Sequence, residues 1–321
     1  MIITVTPNPA LDLTWHVDRI VPGGVHRADT GRARAGGKGL NVARVAHAQG
    51  ATVRALTTVG GAAGGEFALE LRSSGVPHLL VPVVAETRRS IALVDEHLGD
   101  TTIVNERGIN PSNDEWRALL DAVGESLVDA AEAGENAPVL VISGSLPPGA
   151  PAELLPSLII AGRAAGAAVI VDTSGPALLQ AADAGASVLK PNAAELAEAT
   201  GISDPLAGAA ELLRRGAELV LLSMGADGML AVTSDAVVQA RLQTPLAGNP
   251  TGAGDAAVAA CASLWAEGVR EPEAILRRAT AWSAAAVLMP LAGEIHDSWP
   301  SLADALLVET HDFAPEQKDP R

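Results

Sequence analysis

From about residue 138 the chain repeats one unit: a short apolar run, a turn, then a stretch with helical spacing. The runs are PVLVIS (138–143), AAVIVD (167–172), ASVLK (186–190) and ELVLLS (218–223). Helices are predicted between them over 151–165, 176–184, 193–199 and 204–215. A strand with no polar face must be covered on both sides, and strands joined through helices run parallel. These runs therefore predict an α/β fold with a central, mostly parallel sheet between helical layers. Ligands bind such sheets at the carboxyl ends of the strands. The polar residues there, Ser143, Asp172, Lys190 and Ser223, are the first candidates for a site.

The first third breaks this rhythm. Residues 12–35 and 86–107 hold alternating segments, LTWHVDRIV, RSIALVDEH and TTIVNE, with turn residues between them. They predict a small β-sheet standing off the main body as a lid, or a pair of ordinary edge hairpins. On the lid reading the core is 1–11, 36–85 and 108–321. Ser112 and Glu115 form a capping box, and Trp116, Leu119, Leu120, Val123 and Leu127 mark one helical face. The last residues, HDFAPEQKDPR, read as a frayed tail.

Composition removes several classes of function. The net charge of −16, from 22 basic and 38 acidic residues, argues against general binding to nucleic acid or an anionic membrane. It leaves room for an anionic small molecule, since a few placed cations reverse a local field. One cysteine, Cys261 in the run AAVAACASLW, excludes an intrachain disulfide and a multi-cysteine zinc site; it reads as a buried helix position. The start, MIITVTPNPALD, has no basic segment followed by a long apolar stretch, and no apolar run approaches the roughly 20 residues of a spanning helix. Cytoplasm is the expected location.

The strongest motif is Asn249-Pro250-Thr251-Gly252-Ala253-Gly254-Asp255, followed by an apolar helical run. A glycine pair opening a helix leaves backbone N–H groups free at its positive end, a cradle for the charge on a phosphoryl group in flight. Asp255, in the first turn, can accept a proton from an attacking hydroxyl. It could equally do no more than complement the helix dipole. A dinucleotide fingerprint over Gly252, Gly254 and Ala257 is rejected, because TPLAGNP before it is not a buried strand. No Walker A loop is present: Gly39 follows Gly37-Lys38 where Ser or Thr is required.

A second glycine-rich segment, Ala35 to Ala43, admits close approach of a ligand and sets Asn41 in a first helical turn. Lys38 pairs with a phosphate or is solvated. In the third segment, Asn192 and Glu195 fit a capping box, and alternatively a hydrated Mg²⁺ beside nucleotide phosphates. The fourth, Ser223 to Gly228, is a turn ending a strand.

Taken in order, these segments resemble the PfkB (ribokinase-like) carbohydrate kinase family over nearly the whole chain, in particular its 1-phosphofructokinase and tagatose-6-phosphate kinase branch. The residues that carry the resemblance are TPNPALD (6–12), GGKGLNVARV (36–45), ETRRSI (86–91), GSLPPG (144–149), DTSG (172–175), KPNAAEL (190–196), SMGADG (223–228) and NPTGAGD (249–255). The resemblance implies a ribokinase-like three-layer sandwich with a small β-sheet lid that often serves as a homodimer clasp. It implies ATP and Mg²⁺, and a sugar or sugar phosphate as acceptor. Asp12 corresponds to the carboxylate that grips sugar hydroxyls, with Gly37, Lys38, Asn41 and Ser90 as further contacts. Lys38, Arg88 and Arg27 correspond to cations around a substrate phosphate, with Arg89 turned away. Lys190, Asn192, Ser223, Gly225, Gly228, Thr251 and Ser283 correspond to nucleotide contacts. Glu195 corresponds to the carboxylate that acts on Mg²⁺ through water. Asp255 is then the base, and Gly252, Ala253 and Gly254 the cradle.

The chain departs from the family pattern at Asn249-Pro250, where many relatives carry an acidic residue and Thr, and at Ala256, where Ser or Thr is common. Both lie beside the transfer site. Three functions compete: a hexose phosphate kinase, a kinase of an unphosphorylated sugar or nucleoside, and a non-catalytic sugar or nucleotide sensor.

Overall fold

A computed structural model of the chain describes residues 1–133 and 138–312. The apolar runs lie side by side in a ten-stranded sheet. Seven strands run parallel, in the order β11 (Leu219–Ser223), β10 (Val188–Leu189), β9 (Ala168–Asp172), β8 (Val139–Ser143), β1 (Ile2–Thr6), β4 (Val53–Val59) and β5 (His78–Pro82). Three antiparallel strands, β12 (Met229–Val232), β13 (Ala236–Leu242) and β14 (Leu306–Asp312), extend the sheet beyond β11. His311 and Asp312, the first two residues of the expected tail, close β14 instead; the rest of that stretch lies outside the described residues.

Because successive side chains point to opposite faces, each buried strand feeds two cores. Val139 and Val141 enter one, Leu140 and Ile142 the other; Leu219 and Leu221 part from Val220 and Leu222 in the same way. The first face is covered by α1 (Lys38–Ala48), α2 (Gly61–Ser73), α8 (Ala253–Ala266) and α9 (Pro272–Val287), with α10 (Trp299–Asp304) at its edge. The second carries α3 (Asn113–Glu132), α4 (Leu154–Ala164), α5 (Pro176–Asp183), α6 (Ala193–Thr200) and α7 (Pro205–Arg215). Sheet and helices form three layers, as expected. The capping box of Ser112 and Glu115 starts α3, and Trp116, Leu119, Val123 and Leu127 are buried.

A helix without a polar face is buried all round, and α8 is that helix: every residue from Asp255 to Trp265 is buried. Its alanines let it lie close to the sheet between α1 and α9. Cys261 is buried among them, with no part in a disulfide.

The alternating segments form a separate four-stranded sheet, β3 (Arg32–Gly36), β2 (Ala10–Val17), β6 (Arg88–Asp95) and β7 (Asp100–Asn105) in that order. It pairs with no strand of the large sheet, so it is not a pair of edge hairpins.

Packing around α8 leaves no room for added volume. Ala260→Leu is expected to cost about 1–3 kcal/mol of stability, read as a lower denaturation midpoint.

Candidate active site

The parallel strands deliver four polar residues to one end of the sheet. Ser143 closes β8 in register with Asp172, which closes β9. Lys190 follows β10 and Ser223 closes β11. Asp172 is 0% exposed. A carboxylate that far from water needs cations to stay ionised. Lys38 Nζ donates to its two oxygens at 3.3 and 3.2 Å, and Lys190 Nζ lies 3.7 Å away. Ser143 Oγ donates at 3.3 Å. Burial pushes the Asp172 pKa up, but Lys190, Lys38 and the hydrogen bonds outweigh it and hold the carboxyl below its ordinary range. For Lys38, burial is likewise outweighed, by Asp172, Asp255 and Glu195, and its pKa is raised.

Asp255 sits in the first turn of α8, buried, where Asn41 Nδ2 of α1 donates to it at 2.8 Å. Burial first, then the Asp172 charge, push its pKa up to about 6 against Lys38, the Asn41 hydrogen bond and Lys190. At neutral pH it is ionised, yet more basic than a solvated carboxylate. Gly252 opens the helix at φ 87°, a left-handed conformation, and a Cβ there would lie 2.8 Å from Ala292 Cα. Ala253, expected among the cradle donors, gives its N–H to Pro250 O at 3.2 Å. The first-turn amides of Gly254 and Asp255 find no backbone acceptor among the described residues, so the cradle is narrower than expected. A Cβ on Gly254 would stand 3.2 Å from Lys190 Nζ; its absence lets that ammonium reach the helix start.

The loop before α8 is shaped by Asn249. Its Oδ1 accepts the Thr251 N–H at 3.0 Å and its Nδ2 donates to Pro290 O at 3.1 Å. The unusual Asn249-Pro250 thus ties this turn to the loop after α9. In that loop Ala292 fills the space beside Gly252 and Gly293 lies against Asn41. Glu294 forms a 3.1 Å ion pair with Arg34 on β3.

Asp12 on β2 pairs in register with Arg34 and, on its other side, with Ser90 of β6. Gly36 makes space for it, since any Cβ there would overlap the Asp12 carboxylate. Burial raises the Asp12 pKa to about 6, opposed by Arg88, Arg34 and Arg44 and reinforced by Asp255. Arg88 donates to Asn8 O at 3.2 Å from both Nε and Nη2, and from Nη1 to Glu106 O at 3.0 Å. Its pKa is lowered by burial, against Asp12 and Glu106. Ser90 Oγ donates to Asn105 Oδ1 at 2.6 Å, while Arg89 pairs with Glu86 at 3.3 Å. Gly37, at φ 121°, sits against Thr6.

The three cations expected around one phosphate each have different neighbours. Arg88 stands beside Asp12, Lys38 reaches inward to Asp172, and Arg27 is exposed on the loop from β2 to β3 near His16 and Glu96. Sequence reasoning missed Arg34. Asp172 is among the strand-end candidates named from the sequence, which assigns it no role; its pairing with Lys38 and Lys190 is seen only in the fold.

On the far side of α8 a cleft of about 350 Å³ is lined by Ser223, Gly225, Gly228, Gly254 and Ser283, with apolar walls from Leu246 and Val287. Thr251 is exposed and does not line it. Asn192 and Glu195 do form the capping box: Glu195 N–H donates to Asn192 Oδ1 at 2.8 Å and Asn192 N–H to Glu195 Oε2 at 2.9 Å. A larger cavity of about 680 Å³ opens at the opposite, amino ends of β1 and β4 beside Trp282 and Trp299. Two charged side chains in its lining, Glu267 and Arg278, pair with each other at 2.8 Å. The carboxylates at the carboxyl end, with their shifted pKa values, make that end the candidate site.

Residues 6–298 match the model of the pfkB family carbohydrate kinases. The 1-phosphofructokinase of Xanthomonas campestris is 39% identical over 292 residues, covering 88% of this chain and 89% of that protein. The phosphofructokinase-2 of Escherichia coli, solved in complex with fructose-6-phosphate, superposes with a TM-score of 0.83 at 31% identity, over 94% of this chain and 98% of that one. A ribokinase of Arabidopsis thaliana, solved with ribose and ATP, has a TM-score of 0.71 at 23% identity over 94% and 98% of the two chains, a likeness of fold alone.

The raised pKa of Asp255 has a cost in stability. Between its unfolded value near 3.8 and about 6 the folded state holds the extra proton, so stability falls as pH rises through that window and the penalty is complete above it. Asp255→Asn is expected to melt above the parent protein at pH 7.5, by an amount equivalent to about 1–3 kcal/mol. The gap should close toward pH 4 in thermal melts across that range.

Proposed function

We propose, from the premise that the chain belongs to the pfkB family of carbohydrate kinases, that it transfers the γ-phosphoryl group of ATP to a hydroxyl of a hexose phosphate. The observation that carries this reading is the buried, basic Asp255 at the mouth of a helix in which the Gly254 and Asp255 amides have no backbone acceptor among the described residues, with Asp12 on one side and the nucleotide-sized cleft on the other. Asp12 and Ser90 hold the sugar, with Gly37 and Asn41 beside it. Asn41 also orients Asp255. Asp255 takes the proton from the attacking hydroxyl as the new O–P bond forms and the bond to the ADP oxygen breaks. The amides of Gly254 and Asp255, with Lys38 and Lys190, face the charge that develops on the transferred oxygens. Ser223, Gly225, Gly228 and Ser283 contact the nucleotide, and Thr251 borders it from outside.

Among the described residues no group of three His, Cys, Asp or Glu side chains is placed to hold a metal ion. Glu195 has one carboxylate oxygen engaged in its cap and the other without a hydrogen-bond partner among the described residues. That donor set fits a hydrated Mg²⁺ arriving with the nucleotide, touched by Glu195 through water. When bound, the ion neutralises charge on the phosphate oxygens. The small sheet, 12–35 and 86–107, acts as the lid, and its closure excludes water.

Arg88, beside Asp12, favours a phosphorylated acceptor, as do the phosphofructokinase names of the relatives. ATP consumption across hexose phosphates, free hexoses and nucleosides tests this; turnover confined to unphosphorylated acceptors would refute it. Asp255→Asn is expected to lower kcat by about 10²–10⁴-fold while ATP still binds, and near-normal turnover would remove the base assignment.

The free edge of the lid, β7, is exposed along its whole length and carries Ile103 and Val104. An exposed edge strand invites pairing, which supports a homodimer formed through the lids. Sedimentation is expected to show a dimer, and Ile103→Pro, which removes an N–H on the free side of β7 and leaves the β6 ladder intact, to yield monomer.

A further inference from the structure

Asp172 lies outside every role assigned above, yet it is the point on which the charges of the site converge. It is fully buried, it closes β9, and its two oxygens receive Lys38 from α1, Lys190 from the segment after β10 and Ser143 from β8. Lys38 is a long, flexible side chain at the start of a helix and is 42% exposed. Nothing else holds it among the described residues; its hydrogen bonds run to Asp172 alone. Lys190 has 4% of its side chain exposed, and its only ion pair is also with Asp172. Two ammonium groups repel each other, so keeping both beside one helix start requires a negative charge between them.

The structure assigns Asp172 as the positioning residue of the transfer centre: it fixes Lys38 and Lys190 beside the helix start and, through the balance of these three charges, sets how readily Asp255 holds a proton. This rests on Asp255 being the base.

The groups that face Asp255 are Asn41 and Lys38 from α1, Asp172 from β9, Lys190 from the segment after β10 and Asp12 from β2. Asp172 disfavours ionisation of Asp255, whereas the two lysines favour it. The substitutions therefore act in opposite directions. Asp172→Asn leaves two unbalanced cations, which favours the ionised Asp255. Lys38→Met removes a cation and leaves Asp172 less compensated, which disfavours it.

The measurement is the pH profile of kcat/KM for both variants and the parent, with one hexose phosphate acceptor and MgATP. A substrate phosphate titrates near pH 6 as well, so the quantity read is the displacement of the acid limb between proteins under identical substrates. Asp172→Asn is expected to move the limb down by about one unit and Lys38→Met to move it up by a similar amount. Loss of lysine placement should also lower turnover of Asp172→Asn by about 10²-fold. A residue that merely supports the fold would lower activity without ordering the two limbs in this way.

An unmoved limb in either folded variant, or displacements of the same sign, would overturn the inference. If Asp172→Asn does not fold, Lys38→Met decides alone, and a limb that stays or falls overturns it. The two assignments fail separately. Near-normal turnover in Asp255→Asn removes the base, whereas an inactive Asp255→Asn together with unmoved limbs removes only the role of Asp172.

Discussion

Asp255 is kept out of water at the start of a helix whose other buried positions are nearly all apolar, and the rest of the site can be understood as the means of keeping it ionisable there. Burial alone favours a neutral acid. Asn41 supplies a hydrogen bond to the carboxylate, and Lys38 and Lys190 supply positive charge. Those lysines would be costly to hold together without Asp172, which in turn could not stay ionised at 0% exposure without them. Each charge is tolerable because the others are present, and the arrangement requires α1, β8, β9, the turn after β10 and α8 to meet at one point. Parallel strands ending together make that meeting possible.

The sheet and its helices were legible because their signals are local and strong. A run such as VLVIS cannot be exposed on either face, and its neighbours carry helical spacing. The strands β12 to β14 were not foreseen. They are short or partly exposed, they pair antiparallel at the sheet edge, and β14 comes from a segment far along the chain. Nothing local in the sequence marks LLVETHD as the partner of AVVQARL. The four strands of the small sheet alternate visibly, but their order depends on β2 running parallel to β6, some 80 residues away.

The site was legible to the extent that it depends on backbone. Gly252 needs its positive φ and Gly36 its missing side chain, and both were visible as glycine-rich motifs. What the side chains of the cations do was less so. The family resemblance groups Lys38 with Arg88 and Arg27 around a phosphate, and in the fold the Lys38 ammonium reaches from the start of α1 to the buried Asp172. Arg88 spends its donors on two carbonyls and lies beside Asp12. Partner choice among charges is set by three-dimensional proximity, which a linear sequence does not display.

Three consecutive residues of the loop after α9 touch three separate parts of the site: Ala292 abuts Gly252, Gly293 abuts Asn41, and Glu294 grips Arg34 in the small sheet. This short stretch is therefore a mechanical crossroads. Any lengthening or shortening of it would disturb the start of α8, the first turn of α1 and the small sheet in a single stroke, so none of the three can be repositioned independently by changing that loop.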